Sequence, residues 1–468
     1  MDSLNPHMFR AYDIRGVVGD DLTVQAVELV GRAFGTWVRR RDGRSIAVGK
    51  DNRASSADFQ KALMSGLAST GCAVFDIGLT TTPLMNFTVI DRGLDAGVNI
   101  TGSHNPVEYN GVKLTGPKGY TLTEEDIQSV RRLAEARDFE SGRGSIQLLD
   151  AKGSYFDKLT ELCHPQRSVR VAVDCGNGVV GAYAPSLIRQ LGHDVIELHC
   201  ELDSSFPNHL PDPEREENML DLKDFVTTSG CELGIAFDGD GDRLGIVDEG
   251  GTHLSSDFVI ILLARDLLSR HPGAKILLDV KCSQNVVDDI KINGGEPVLW
   301  KTGYPFIRRK IREDRILLAG EQSGHMFFGE AYPYLDDGLL AAGLTLKILS
   351  SDAGTLSHRF EGLRRRVATP LVQLPISDDT KFEIVERIRD AVSQLPGTTE
   401  LIDVDGVRAQ FNDDWFVVRA SNTSPNLTMR FEAADERSLA QLQQLVFDIL
   451  SSVLPVSFED WRRRAPDE

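Results

Sequence analysis

Asp238, Asp240 and Asp242 alternate with Gly239 and Gly241 and run directly into Arg243, between the apolar stretches 233–237 and 244–247. Alternate residues of an extended chain point to one side, so three carboxylates are expected to converge. Such a group repels itself unless a cation compensates it, and an all-oxygen ligand set suits hard Mg²⁺. Glu249 stands twelfth from Asp238, as an EF-hand loop would require. That reading fails because the sixth position is Arg243 rather than Gly, and the flanks read as strands rather than helices.

Ser103 lies in Thr101-Gly102-Ser103-His104-Asn105-Pro106, followed closely by Tyr109-Asn110-Gly111-Val112-Lys113. A strand-like run, 94–100, precedes it, so the serine is expected on a loop at a strand's end, with Gly102 and Pro106 leaving its hydroxyl exposed. A serine hydroxyl can accept a phosphoryl group and a phosphoserine can return it. That transfer needs cations over the oxygens and a group to manage the proton, for which Lys113 and His104 are the local candidates. Alone, a Ser–His pair in a loop is better read as a side chain capping a turn. The carboxylates elsewhere raise it, since phosphoryl transfer commonly uses a divalent ion. Two more loops carry polar groups. Arg419-Ala-Ser421-Asn422-Thr423-Ser424 offers a guanidinium fork and hydroxyls suited to an anion, or an ordinary polar hairpin. Gly320-Glu321-Gln322-Ser323-Gly324-His325 could hydrogen-bond several hydroxyls at once but is uninformative by itself.

The elements that must position these residues repeat. Three stretches share one plan: an apolar strand ending at Asp51, Asp174 or Asp279; a helical pattern closed by Gly71, Gly192 or Gly294; a second apolar strand; and a turn bearing Pro83, Pro207 or Pro305. Apolar runs alternating with helical periodicity predict βαβ units and a mostly parallel sheet. Beyond about residue 365 the texture changes. GVRAQF, DWFVVRA and LTMRFEA read as strands and 435–454 as an amphipathic helix, a smaller α+β domain. Four domains are expected, over 1–150, 151–250, 251–365 and 366–468, which agrees with what 468 residues require. A cleft between domains is a common place for a ligand.

The net charge of −19 argues against nucleic acid or an anionic membrane as partner, but leaves room for a small anion held by a few cations in a cleft. The most apolar run, 258–264, is too short to span a bilayer. No signal-peptide pattern opens the chain, and six scattered cysteines without a CxxC read as reduced thiols, so a cytoplasmic protein is expected.

Together these four segments, with Phe9-Arg-Ala-Tyr12-Asp-Ile-Arg15-Gly16 at the start, resemble the α-D-phosphohexomutase family, in its phosphomannomutase/phosphoglucomutase branch. The resemblance runs from about residue 9 to about residue 435. It implies an α/β fold: three related α/β domains with mixed sheets plus a C-terminal α+β domain around a central cleft. It also implies a reaction that interconverts hexose 1-phosphate and hexose 6-phosphate. A phosphoserine gives its phosphoryl group to the phosphorylated hexose, the hexose 1,6-bisphosphate turns around, and the other phosphoryl group returns. By motif, Ser103 would be the phosphoserine and would share Mg²⁺ with Asp238, Asp240 and Asp242. Arg15, His104, Lys113 and Arg243 would surround the transferring group. Tyr12, Lys281, Thr302, Gly303, Tyr304, Glu321, Ser323 and His325 would meet the sugar. Arg419, Ser421, Asn422 and Thr423 would hold the phosphate that stays.

Two departures stand out. Tyr304 occupies a place where this branch commonly has His, and Tyr is bulkier and never cationic near neutral pH. Gly102 stands where Ala is more usual, a difference expected to matter little. Because the sugar phosphate must bind both ways round, hydroxyls that superimpose after the flip should be read by Glu321 and Ser323. The mannose/glucose difference at C2 need not be, so use of both sugars is expected. A phosphoglucosamine mutase, the alternative within the family, would more typically read Arg-Pro-Ser-Gly-Thr in the phosphate loop, against Arg419-Ala-Ser-Asn-Thr423 here. The intact Ser103, aspartates, Lys113 and Arg243 argue against a non-catalytic phosphosugar-binding protein. Against a phosphatase or kinase stand the missing Walker-type loop and the lack of an obvious water-activating dyad. A monomer or weak homodimer is expected.

Overall fold

A computed structural model describes residues 4–422 and 424–454. The chain forms two compact units: one comprises residues up to Ala274 together with Tyr304–Glu361, the other Lys275–Gly303 together with residues from Gly362 onward.

The repeated strand–helix–strand pattern folds as expected in all three places. Ser45–Lys50 pairs in parallel with Ala73–Leu79 across the helix Ser56–Ser69. Arg170–Asp174 pairs in parallel with Asp194–Leu198, and Lys275–Asp279 with Glu296–Trp300. The first of these units belongs to a mixed six-stranded sheet in the order Ile14–Val17, Tyr109–Thr115, Ala96–Ile100, Ser45–Lys50, Ala73–Leu79, Ser145–Leu148. Both faces of Ser45–Lys50 are covered. Ile46 and Val48 join the core under the helices Val24–Arg39 and Glu124–Ala136, while Ala47 packs with Met85 and Val89 of the helix Thr82–Asp91. A strand buried on both faces is apolar throughout rather than alternating, which is why SIAVG reads as a continuous run.

The second sheet runs His253–Leu254, Leu244–Asp248, Leu233–Phe237, Arg170–Asp174, Asp194–Leu198. In the first compact unit, Leu318–Gly320, Met326–Phe328 and Leu335–Asp336 form a short antiparallel ladder. In the second unit, Val407–Phe411, Asp414–Ala420 and Asn426–Ala433 form an antiparallel sheet covered by the helix Glu436–Val453, the expected α+β texture.

Two of the proline-bearing turns are helix starts. Pro83 sits in the first turn of Thr82–Asp91, whose cap Thr81 accepts from Leu84 N, and Pro305 is the second residue of Tyr304–Asp314. Proline suits that position because its missing N–H is one the helix leaves unpaired anyway. Among the described residues no helix is long and apolar enough to cross a membrane. All six cysteines are buried thiols outside any disulfide.

Candidate active site

The three aspartates do converge, but through a turn rather than along an extended strand. Leu233–Phe237 and Leu244–Asp248 pair antiparallel with Phe237 opposite Leu244, so residues 238–243 must reverse the chain. Gly241 takes a left-handed φ of +77° to do so. One oxygen from each of Asp238, Asp240 and Asp242 lies within 4.8 Å of the others, and all three side chains are buried. The turn is held by its own first carboxylate: Asp238 Oδ1 accepts from Asp242 N at 3.0 Å and Arg243 N at 3.1 Å.

Ser103 lies against this turn. Its hydroxyl is not exposed, as Gly102 and Pro106 suggested; the residue is 3% accessible, and Oγ donates to Asp238 Oδ2 at 2.8 Å. The burial comes from an approach between loops. A Cβ on Gly239 would fall 2.2 Å from the Ser103 carbonyl oxygen, so glycine is what allows the contact. His104 Nδ1 lies 3.1 Å from Ser103 Oγ on the other side. Its enclosure and the charges of Arg243 and Arg15 hold that imidazole well below its usual pKa, leaving it neutral.

Lys113 reaches in from the strand Tyr109–Thr115, bonding Asp240 Oδ2 at 2.6 Å and Asp242 Oδ2 at 2.9 Å. Burial works against its charge, but Asp240 and Asp242 overcome that and raise its pKa. Thr82, at the start of its helix, also donates its hydroxyl to Asp240 Oδ2, at 2.6 Å. The other oxygens, Asp240 Oδ1 and Asp242 Oδ1, are buried with no hydrogen-bond partner. Burial and the neighbouring Asp242 and Asp240 push the Asp238 pKa well above the carboxylate range. Unpartnered carboxylate oxygens converging in a buried site are costly unless a cation takes them, so the donor set fits a hard divalent ion.

Arg15 and Arg243 flank the group. Arg15 Nη1 donates to Asn105 Oδ1 at 3.2 Å and Nη2 to Asp13 Oδ2 at 2.6 Å. Arg243 Nε donates to His325 Nε2 at 3.1 Å, and His325 Nδ1 bonds Asp336 Oδ2 at 2.9 Å. Arg308 Nε, at 2.6 Å, holds the other oxygen of Asp336. The loop with Glu321 and Ser323 is brought to the same place by the bond of Leu244 N to Gly324 O, and is closed on itself by Glu321 N donating to His325 O. Glu321 and His325 are buried and Ser323 is half-buried. Tyr304 packs edge-on against Tyr12 with ring centroids 5.9 Å apart, and its hydroxyl lies 3.5 Å from the Tyr12 carbonyl.

The remaining candidates belong to the second compact unit. Lys281 is buried with Nζ 3.3 Å from Asp279 Oδ2, which also accepts from Thr302 Oγ1 at 3.0 Å. Gly303 has φ +121°. Arg419 Nε donates to Asp405 Oδ2 at 2.7 Å, which also accepts from Thr302 N at 2.9 Å. Ser421 is buried and Asn422 half-buried, while Thr423 lies outside the described residues. Lys381 was not singled out by sequence, yet its buried ammonium bonds the carbonyls of Ser421 and Ser424 and so shapes this loop. Thr82, Asp336 and Arg308 were missed too. Thr82 lies in the proline-bearing turn of the first repeat and Asp336 and Arg308 in no local motif, and nothing in the sequence tied any of the three to this site.

The first unit thus sets a serine hydroxyl, a carboxylate trio able to hold a cation and several fixed positive groups side by side, an arrangement suited to moving phosphoryl groups. Comparison with known proteins agrees. Successive domains described as phosphoglucomutase/phosphomannomutase alpha/beta/alpha domain I, domain II, domain III and C-terminal domain match residues 6–141, 153–251, 255–366 and 371–449. The chain belongs to the phosphoglucomutase/phosphomannomutase family. It is 43% identical over 460 residues to a phosphomannomutase/phosphoglucomutase of Pseudomonas aeruginosa, covering 97% of this chain and 98% of that one. It is 38% identical over 455 residues to a phosphoglucomutase of Neisseria gonorrhoeae, covering 97% and 98%. A crystal structure of a phosphoglucomutase/phosphomannomutase family protein from Burkholderia thailandensis superposes with a TM-score of 0.91 at 36% identity, covering 97% of this chain and 99% of that one.

Proposed function

We propose that this chain is a phosphohexomutase that interconverts hexose 1-phosphate and hexose 6-phosphate, with mannose, glucose or both as the sugar. The observation that carries the reading is the Ser103 hydroxyl bonded to Asp238 inside a carboxylate group already paired with Lys113. In the forward half-reaction the bond from Ser103 Oγ to phosphorus breaks as a sugar hydroxyl oxygen bonds to phosphorus. The proton lost by that sugar hydroxyl must end on the freed Ser103 Oγ, and His104, whose Nδ1 lies 3.1 Å from that oxygen, is placed to relay it. The bisphosphorylated sugar then returns its other phosphoryl group to Ser103 after turning round. Asp238, Asp240 and Asp242, with a phosphate oxygen on Ser103, would hold Mg²⁺. When bound it supplies neutralisation of the charge that develops on the phosphoryl oxygens. Arg15, Lys113 and Arg243 surround the same oxygens as fixed cations.

Glu321 and Ser323 are assigned to sugar hydroxyls, with Tyr12, Lys281, Thr302, Gly303, Tyr304 and His325 as further sugar contacts. Arg419, Ser421 and Asn422 are assigned to the phosphate that is not transferred. A division into four domains near residues 150, 250 and 366 is supported by where the family matches begin and end. Six free, buried thiols suit a reducing cytoplasm.

The test is substitution at Ser103 together with a substrate panel. Ser103→Ala should lose both the phosphoenzyme and nearly all mutase turnover; full activity would remove the proposed role. Turnover of glucosamine 6-phosphate with none of mannose or glucose phosphates would overturn the sugar assignment. Phosphate release outpacing isomerisation would turn the reading toward a phosphatase.

A further inference from the structure

The loop bearing Ser103 is gripped by a buried cation that the chemistry above does not use. Arg53 follows the strand Ser45–Lys50 and is 4% exposed. Its Nη1 donates to the carbonyls of Pro106 at 2.7 Å and Tyr109 at 3.0 Å, and its Nη2 to those of Ser103 at 2.9 Å and Asn105 at 2.6 Å. Nε lies 3.4 Å from Asp51 Oδ2, and that same oxygen accepts from Gly102 N at 3.1 Å. One ion pair therefore binds the loop by its amide on one side and by four carbonyls on the other. Only a planar fork with several donors can do this; an ammonium on a flexible stem cannot.

Gly102 makes room for the fork. A Cβ there would lie 2.5 Å from Arg53 Nε and 2.6 Å from Cζ, so the methyl expected to matter little would collide with the guanidinium. The grip also acts where the backbone is strained. Ser103 has φ +48°, a left-handed conformation that is unfavourable for a non-glycine residue and persists only when its surroundings impose it.

We infer that Arg53 is a positioning residue for phosphoryl transfer: by binding the carbonyls of Ser103, Asn105, Pro106 and Tyr109 it imposes the left-handed turn that aims Ser103 Oγ at Asp238. This rests on the reading of Ser103 as the phosphoryl carrier. Misaiming a nucleophile by an ångström costs on the order of 10²-fold in rate without weakening substrate binding.

The experiment compares Arg53→Ala, Arg53→Lys, Gly102→Ala and Ser103→Ala in the full chain, with Mg²⁺ and hexose 1,6-bisphosphate present, well below each variant's unfolding temperature. Arg53→Ala and Arg53→Lys should lose kcat by roughly 10²-fold with KM little changed. Gly102→Ala, whose Cβ displaces the fork, should show the same kcat-only defect. Added guanidinium at low concentration should partly restore Arg53→Ala, whereas equal urea or sodium chloride should not. Wild-type kcat in Arg53→Lys and Gly102→Ala, with lowered thermal stability alone, would reduce Arg53 to a structural residue and overturn the inference. If Arg53→Ala does not fold, Gly102→Ala, which keeps the Arg53 side chain, decides. An active Ser103→Ala would instead sink the phosphoserine reading and this inference with it, a result distinct from failure of the Arg53 variants alone.

Discussion

Lys113 neutralises two buried carboxylates that lack other cationic contacts as close. Its ammonium bonds Asp240 and Asp242, and removing one partner of a buried ion pair typically costs about 3–5 kcal/mol because the other charge is stranded. Lys113→Met is therefore expected to be destabilised in chelator and to regain much of that stability when Mg²⁺ is added. Its turnover should stay depressed by on the order of 10²–10³-fold, the usual loss when a fixed charge over developing negative charge is removed. Thermal unfolding with and without Mg²⁺ checks this, and a midpoint indifferent to the ion would contradict it. Asp240→Asn approaches the same group from the other side. Asp240 Oδ1, like Asp242 Oδ1, is buried and unpartnered, so its charge is available to a cation. The half-saturating Mg²⁺ concentration for activity should rise about tenfold or more, a difference of at least ~1.4 kcal/mol in binding. An unchanged metal titration would count against the trio.

The proposed chemistry depends on two loops and a helix start that touch although they are far apart in sequence. The turn 238–243 meets the Ser103 loop through Gly239, and the helix Thr82–Asp91 meets Asp240 through the hydroxyl and amide of Thr82. Gly239→Ala is expected to force the two loops apart, costing about 1–3 kcal/mol as overpacking does. It should lower kcat further than that loss of stability explains, since Ser103 and Asp238 separate. Chemical denaturation beside steady-state kinetics checks both halves. The local parts of this arrangement were legible in the sequence because each is a contiguous motif: DGDGDR between apolar runs, TGSHNP after one, and strand–helix–strand three times. What brings them together was not. Thr82 and Asp240 are 158 positions apart, Arg308 and Asp336 are 28 apart, and Arg53 binds residues 50 to 56 positions onward. Burial of Ser103 was illegible for the same reason, since the loop that covers it lies in another sheet.

Over the whole molecule, pH acts on stability through at least one group remote from the site as well. His193 is 5% exposed; its Nδ1 accepts from Val169 N at 3.1 Å, and its Nε2 is buried without a partner. Burial lowers its pKa from 6.5 to about 4. The unfolded chain therefore binds more protons than the folded one between those values, so stability rises with pH across that window and is lost as pH falls through it. His193→Gln should remove roughly 3 kcal/mol of the difference in unfolding free energy between pH 7 and pH 4. Parallel pH dependences in variant and wild type would contradict that. The α/β class was readable from the strand–helix–strand repeat, while the partition into two compact units, with the third repeat divided between them, was not. The central claim remains that Ser103 both gives and recovers a phosphoryl group. The direct measurement is the intact mass of the full chain after incubation with hexose 1,6-bisphosphate and Mg²⁺, again after chasing with hexose 6-phosphate, with the modified peptide mapped. The account predicts one added phosphoryl group on Ser103 that leaves during the chase as bisphosphorylated sugar forms. Mutase turnover by a chain that never carries phosphate at Ser103, or phosphate there that the chase does not remove, would contradict it.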